Sequence, residues 1–291
     1  MADKTKVWLD TDIGSDIDDA VALAYLLANP DCELVGISTV SGEAVKRAQI
    51  ADAIVTAAGR SVPIFVGAEA PLLSKVNQPA AQQATQLTNW PHAATFPQLH
   101  AVEAMYAAIK ANPGRLTLLA VGPMTNVALL TRMHPDAASL LKSTVLMCGE
   151  FFRRLPAWGE AEWNALCDPY AAAMVYDGLK LRSVGLDVTM QVRMHQDEVA
   201  KRFSTGVLRV VYDFAKPWFE RIDHITFHDP LAAVSIFTPG VMTCRRGRVS
   251  VELASERARG RTYFDEDPAG PHEVGAAVEA DAFFQEYFRY Q

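Results

Sequence analysis

Residues 7–25 read VWLDTDIGSDIDDAVALAY. The apolar run Val7–Leu9 ends at Asp10, a polar turn follows, and a second apolar run continues with helical spacing. That pattern is a buried strand, a turn at its carboxyl edge and the helix after it. Asp10, Asp12, Asp16, Asp18 and Asp19 crowd into the junction. The mundane reading of Asp18 and Asp19 is a helix first turn, where acidic side chains suit the dipole and cap free amides. It does not account for all five. Converging carboxylates repel, a buried one loses hydration, and the stretch holds no Lys or Arg to pair with. A bound divalent cation resolves the conflict, and a ligand set made only of oxygen favours Ca²⁺ or Mg²⁺ over zinc or copper.

The same alternation extends outward. ELVGISTV and VPIFVG read as strands, with EAVKRAQIADAIVTAAG as the helix between them, stopped at Gly59. RLTLLAVG, STVLMCG and LRSVGLDV continue the strands, and TNVALLTRM and DPYAAAMVYDG the helices. Strands taking turns with helices predict an α/β chain with a Rossmann-like, mostly parallel sheet flanked by helices. The strands are continuously apolar, as sheets buried on both faces require. From about residue 196 the pattern is more helical, ending in the β-like runs RVSVEL and EVGAAVE and the helix ADAFFQEYFRY. No repeat or linker breaks the chain, so residues 1–291 are expected to form a single domain. Residues 74–97 and 151–163 leave strand ends as long loops, the edge where open α/β sheets bind ligands.

Composition narrows the function. With 27 Lys+Arg against 34 Asp+Glu and a net charge of −7, neither a nucleic-acid backbone nor an anionic membrane is the expected partner. Cys32, Cys148, Cys167 and Cys244 are scattered without paired spacing, so neither a disulfide framework nor a zinc site is expected. No apolar run has membrane-spanning length and MADKTKVWLD lacks a signal-peptide core, which makes the cytoplasm the expected location.

Three further stretches carry polar groups to the same edge. In HITFHDPLAAV, Asp229 before Pro230 reads as an N-cap with proline at the first helical position, and Asp168-Pro169 repeats the device. His224 and His228 are four apart, but β-branched and aromatic neighbours argue for extended chain there, which weakens a zinc reading. In AVGPMTNVALL, Gly122-Pro123 turns the chain and Thr125 or Asn126 opens a helix. In GEAEWNALCDP, Glu162 and Asn164 flank a tryptophan and can grip hydroxyls.

Taken together, DTDIGSDIDDA, TVSGE, GPMTN, AEWN and HDPLA, in this order and spacing, resemble the inosine–uridine nucleoside hydrolases nearly end to end. The resemblance implies a calcium-dependent enzyme that cleaves the N-glycosidic bond of a ribonucleoside to free base and ribose. Asp12, Asp19 and Asp229 would hold Ca²⁺ by their carboxylates and Thr125 by its carbonyl. Asp12 would also be the general base for a water on the ion, and His228, at an ordinary imidazole pKa, the donor to the leaving base. Asp18, Glu162 and Asn164 would hold ribose hydroxyls, Asp10 would support the site, and a homodimer or homotetramer would be common. Trp90, Phe152 and Trp158 are the candidates for the base pocket, with His92, Phe151 and Arg153 beside them.

The chain departs from the family pattern in four places. Its first motif is two residues longer, which adds Asp16; Glu43 and Pro156 stand where the family has asparagines that touch ribose; and the usual His-Gly pair after the third strand is missing. Hydrolysis of a modified nucleoside or another N-riboside is therefore one alternative, and a non-catalytic nucleoside- or ribose-binding protein another. A haloacid-dehalogenase-type phosphohydrolase shares the strand followed by Asp-x-Asp but leaves GPMTN and HDP unexplained.

Overall fold

The computed structural model describes residues 4–153 and 159–291. The opening stretch forms β1 (Thr5–Thr11) and α1 (Asp18–Ala28). Val7 and Leu9 enter one core layer and Trp8 the other, the period of two that puts neighbouring side chains on opposite sheet faces. Nearly all of α1 is buried, so it is an interior helix without a solvent face. β2 (Cys32–Thr39), α2 (Ala44–Ala57) and β3 (Ile64–Val66) follow, then a 3₁₀ turn over Gln82–Asn89 inside what reads in sequence as a plain loop.

The second run comprises α3 (Ala101–Ala111), β4 (Leu116–Ala120), α4 (Thr125–Met133), α5 (Ala137–Leu140) and β5 (Ser143–Met147). Next come α6 (Trp163–Cys167), α7 (Pro169–Gly178), β6 (Leu181–Val184), α8 (Leu186–Thr189), β7 (Arg193–His195), α9 (Gln196–Arg202) and α10 (Gly206–Phe219). The chain ends in β8 (His224–Thr226), α11 (His228–Phe237), β9 (Met242–Val251), β10 (Thr262–Glu266), β11 (His272–Val278) and α12 (Ala280–Tyr287). β7 and β8 pair as a small antiparallel ribbon.

Among the described residues nine strands form one sheet in the order β10-β9-β11-β6-β5-β4-β1-β2-β3. From β3 to β11 every neighbouring pair is parallel; β9 and β10 add an antiparallel edge. The Rossmann-like, mostly parallel α/β expectation is borne out, and the antiparallel edge strand β10 is the piece absent from the sequence reading. Its residues after Thr262 are largely exposed, so no buried apolar run marks it.

Strand order reverses between β1 and β4: the chain builds β2 and β3 on one side of β1, then crosses to lay β4, β5 and β6 on the other. The helices leaving β1 and β4 diverge there, and a crevice opens beyond their carboxyl ends. Asp10 pairs with Ala120 at that edge. On one face α1 packs against α11, which brings residues two hundred positions apart to one spot. No helix among the described residues is long and apolar enough to cross a membrane.

Candidate active site

The turn between β1 and α1 forms one wall of a cavity of about 430 Å³ at this switch point. Asp12, Asp16, Asp18 and Asp19 line it, with Asp229 and His228 from α11 and Glu162 and Asn164 from the start of α6. Asp10 stays behind the wall. Its Oδ1 accepts from Ser38 Oγ and from Asn126 Nδ2 at 2.8 Å, and burial pushes its carboxyl up to about 7. Asn126 also bonds Thr39 O and Ala68 N, so the GPMTN asparagine ties β1, β2 and the segment after β3 together. In the same motif Gly122 is required by contact: a Cβ there would lie 2.8 Å from both the amide nitrogen and Oδ1 of Asp12.

Neither Asp18, Asp19 nor Asp229 acts as a cap. The N-caps of α1 and α11 are Ile17 and Phe227, and neither helix start has a side-chain cap bond. Instead Asp18 Oδ2 accepts from the Asp229 amide at 3.2 Å, and Asp19 Oδ1 accepts from Thr11 Oγ1. One carboxylate oxygen from each of the three lies within 4.8 Å of the others. Burial first, and repulsion among the neighbouring aspartates second, hold all three carboxyls well above their ordinary range. Such a set fits a hard divalent cation: it offers only oxygen, and two oxygens on one Ca²⁺ at 2.3–2.6 Å lie at most about 5 Å apart.

Asp12 lines the same cavity but stands outside that close trio. Its Oδ2 accepts from Gln78 Nε2 at 2.5 Å, and burial raises its pKa against the pull of Arg47. Arg47 is the residue that the reading of the first motif overlooks. It is fully buried in α2, donating to the carbonyls of Asp12 and Ile13, to Gly42 O at 2.9 Å and to Ser15 Oγ at 3.1 Å. The cation missing from the aspartate stretch is therefore supplied by another helix, through the backbone of the turn. A signal existed: Arg47 is spaced from Ile50, Ala51 and Ile54 as a residue of the inward face.

His228 is 7% exposed, and its Nδ1 lies 2.7 Å from Thr189 Oγ1. Burial lowers its pKa to about 3, so the imidazole is neutral rather than poised near 6.5. His224 sits on β8, outside α11, with Nδ1 2.8 Å from Asp223 Oδ1, which removes the helical His pair that zinc would need. Glu162 spends its carboxylate as the N-cap of α6, accepting from Asn164 N at 2.7 Å, Ala165 N at 3.1 Å and Gly149 N at 3.0 Å. Asn164 Nδ2 donates to Val121 O at 2.6 Å and Met147 O at 3.1 Å, joining the ends of β4 and β5. Thr125 is buried and donates to Asp168 Oδ2 at 2.8 Å; Asp168 also caps α7 at Ala171 N and binds Leu72 N.

The base-pocket expectation needs correction. Trp90 packs against the hydrophobic core at the end of the 3₁₀ turn, and Phe152 lies edge-on to Phe264 under the Arg245 guanidinium; neither lines the cavity. Trp158 and Pro156 lie outside the described residues. Among the described residues, the tryptophan rings on the cavity are those of Trp163 and Trp218. Glu43 has also left the site: its backbone is left-handed (φ 60°), and its carboxylate binds Ala81 N at 2.9 Å and Lys46.

Comparison with known proteins places the chain in a family. A family model described as inosine-uridine preferring nucleoside hydrolase matches residues 7–285. An inosine-uridine preferring nucleoside hydrolase of Leishmania major is 33% identical over 279 residues, 89% of this chain and 87% of the relative. A probable uridine nucleosidase 2 of Oryza sativa is 31% identical over 89% of this chain and 82% of the relative. In fold, the purine-preferring ribonucleoside hydrolase from Gardnerella vaginalis superposes with a TM-score of 0.86 at 23% identity, covering 97% of this chain and 96% of its own.

Proposed function

The chain belongs to the inosine-uridine preferring nucleoside hydrolase family, and from that premise we propose that this hydrolase of N-glycosyl compounds is a calcium-dependent enzyme that splits a ribonucleoside into free base and ribose. The observation that carries the reading is the convergence of Asp18, Asp19 and Asp229 within 4.8 Å at the floor of a cavity that Asp12 and His228 also line.

Asp18, Asp19 and Asp229 would hold Ca²⁺, with Asp12 and the Thr125 carbonyl as the further ligands from the chain. When bound, the ion supplies positive charge that offsets the carboxylate cluster and favours loss of a proton from water in the site. Asp12 takes that proton at a carboxylate oxygen, and the water oxygen bonds to C1′ as the C1′–N bond breaks and its electron pair leaves with the base. Positive charge builds on the sugar in the transition state, and the acidic wall stabilises it. Asp18 and Asn164 offer acceptors to the ribose hydroxyls, while Glu162, its carboxylate held by three backbone amides, fixes the start of α6 that carries Asn164.

His228 acts on the leaving base as a neutral imidazole. In the tautomer whose Nδ1 accepts from the Thr189 hydroxyl, the ring proton is on Nε2, where it can hydrogen-bond a base nitrogen or oxygen as negative charge develops. Trp163 and Trp218 offer ring faces to a planar base.

Ribose release tests the reading, measured over a panel of common and modified ribonucleosides and p-nitrophenyl riboside. The enzyme is assayed as purified, after exhaustive chelation and after Ca²⁺ is restored. Calcium-dependent turnover of any member supports it. Silence across the panel, with calcium bound, points instead to a nucleoside- or ribose-binding protein. Turnover of modified nucleosides alone would fit the diversion of Glu43 away from the cavity.

A further inference from the structure

We propose that Gln78 is the positioning residue of Asp12 and that Trp163 sets the orientation in which it works; the inference rests on Asp12 being the base. Gln78 is 7% exposed and stands on the cavity wall. Its Nε2 donates to Asp12 Oδ2 at 2.5 Å, and its Oε1 accepts from Trp163 Nε1 at 2.6 Å. The chemistry of the neighbours dictates this orientation. An indole N–H only donates and an ionised carboxylate only accepts, so the amide must turn its oxygen to Trp163 and its nitrogen to Asp12. Flipping it would oppose two donors at one end and two acceptors at the other. The N–H from Gln78 occupies one lone pair of Asp12 and fixes the plane of the carboxylate, which leaves defined directions for the proton it receives.

The backbone around Gln78 is built to hold it there. Gly42 lies so close that a Cβ would be 2.6 Å from Pro79 O and 2.8 Å from Gln78 O. Ala80 O accepts from Ser15 Oγ at 3.2 Å and from Arg47 Nη2 at 3.3 Å, and Ala81 N donates to Glu43 Oε2 at 2.9 Å. The loop after β3 is thus tied to the aspartate turn and to α2 on the carboxyl side of Gln78. The amide is ordered by folding and need not be ordered during turnover. Trp163 stands at 46% exposure on the cavity, with its N–H directed to Gln78.

The test uses the calcium-saturated full chain, with the best nucleoside of the panel and p-nitrophenyl riboside as substrates. Gln78→Met keeps the length of the side chain and removes both hydrogen bonds; Trp163→Phe keeps a ring and removes only the N–H. In Gln78→Met, kcat is expected to fall roughly 10–100-fold, the worth of one hydrogen bond to a charged group. KM should stay within about threefold, and the factor should be the same for both substrates, because water activation and not base departure is impaired. Trp163→Phe should lose roughly 3–10-fold in kcat, and the double variant should be no slower than Gln78→Met, since the indole acts through the amide.

Unchanged kcat in Gln78→Met, or a rise in KM alone, would overturn the proposal, as would losses that multiply in the double variant. If Gln78→Met does not fold by thermal unfolding, the kcat and KM of Trp163→Phe decide the matter alone. An active wild type beside an indifferent Gln78→Met counts against Gln78 only, whereas a wild type that releases no ribose overturns the hydrolase reading and this one together.

Discussion

Chelation of the enzyme in mild alkali is expected to lower its melting temperature sharply, and acid is expected to reverse much of the loss. Asp18, Asp19 and Asp229 are 4%, 4% and 3% exposed, with one oxygen of each within 4.8 Å of the others. At that distance and an effective dielectric constant of about 20, each ionised pair repels by about 3.5 kcal/mol. Ionising all three would cost about 10 kcal/mol, on the scale of the whole stability of a folded domain. Arg47 offsets little of this, because its charge acts chiefly on Asp12 and only weakly on Asp19. Without a cation the folded protein therefore keeps protons, as the raised carboxyls show.

The sign of the pH effect follows. Unfolded aspartates titrate near about 4, and these folded ones titrate higher, so the folded state binds more protons in between. Stability is then greatest in acid and falls as pH rises through the folded values; Asp10 and Asp16, both pushed up to about 7, mark part of that window. Thermal unfolding in EGTA should give a melting temperature lower at about pH 8.5 than at about pH 6, by roughly 5–10 °C at about 2–4 °C per kcal/mol. In Ca²⁺ the two values should converge, and titrating Ca²⁺ into weakly buffered protein near neutral pH should release protons. A chelated protein whose melting temperature ignores pH, or calcium binding with no proton release, would refute the reasoning.

Asp12→Asn should keep the fold and lower kcat by roughly 10²–10⁴-fold, the usual worth of a positioned base; near-normal steady-state turnover would remove Asp12 from that role. For His228→Ala the expected loss is large on nucleosides with poor leaving bases and small on p-nitrophenyl riboside, and equal losses would end its assignment to the leaving group. Because His228 gains its proton only near pH 3, the kcat profile from about pH 5 to 9 should contain no limb that disappears with the histidine. Arg47→Met leaves the carbonyls of Asp12, Ile13 and Gly42 without their buried donor, so urea unfolding should show a loss of about 3–5 kcal/mol. A shift under about 1 kcal/mol would mean that water replaces the guanidinium at little cost.

The turn between β1 and α1 illustrates how far residue order alone carries. The strand, the helix and the collection of carboxylates at their junction are local facts, set by apolar periodicity and by the charges in one short stretch. The resemblance added which distant motifs belong with it. Apolar periodicity did not disclose that Asp18 and Asp19 leave α1 uncapped or that Asp229 leaves α11 uncapped, because a cap and a carboxylate turned into a cavity use the same side chain at the same position; only the resemblance pointed them away from capping. Trp90 and Phe152 were legible as loop aromatics, but whether a loop ring faces a cavity or the core depends on how the loop folds back.

By itself, then, the sequence determined the alternation of strands and helices, the parallel sheet that such alternation forces, and the acidic, oxygen-only character of the site. Tertiary structure alone decided which carboxylates meet, which cation sits behind them and which amide touches Asp12. Those outcomes depend on α1 packing against α11, on Arg47 reaching the turn from α2, and on the loop after β3 closing over Gly42. Each joins residues far apart in the chain, and the energy of such a contact exists only once the sheet has brought its partners within a few ångströms.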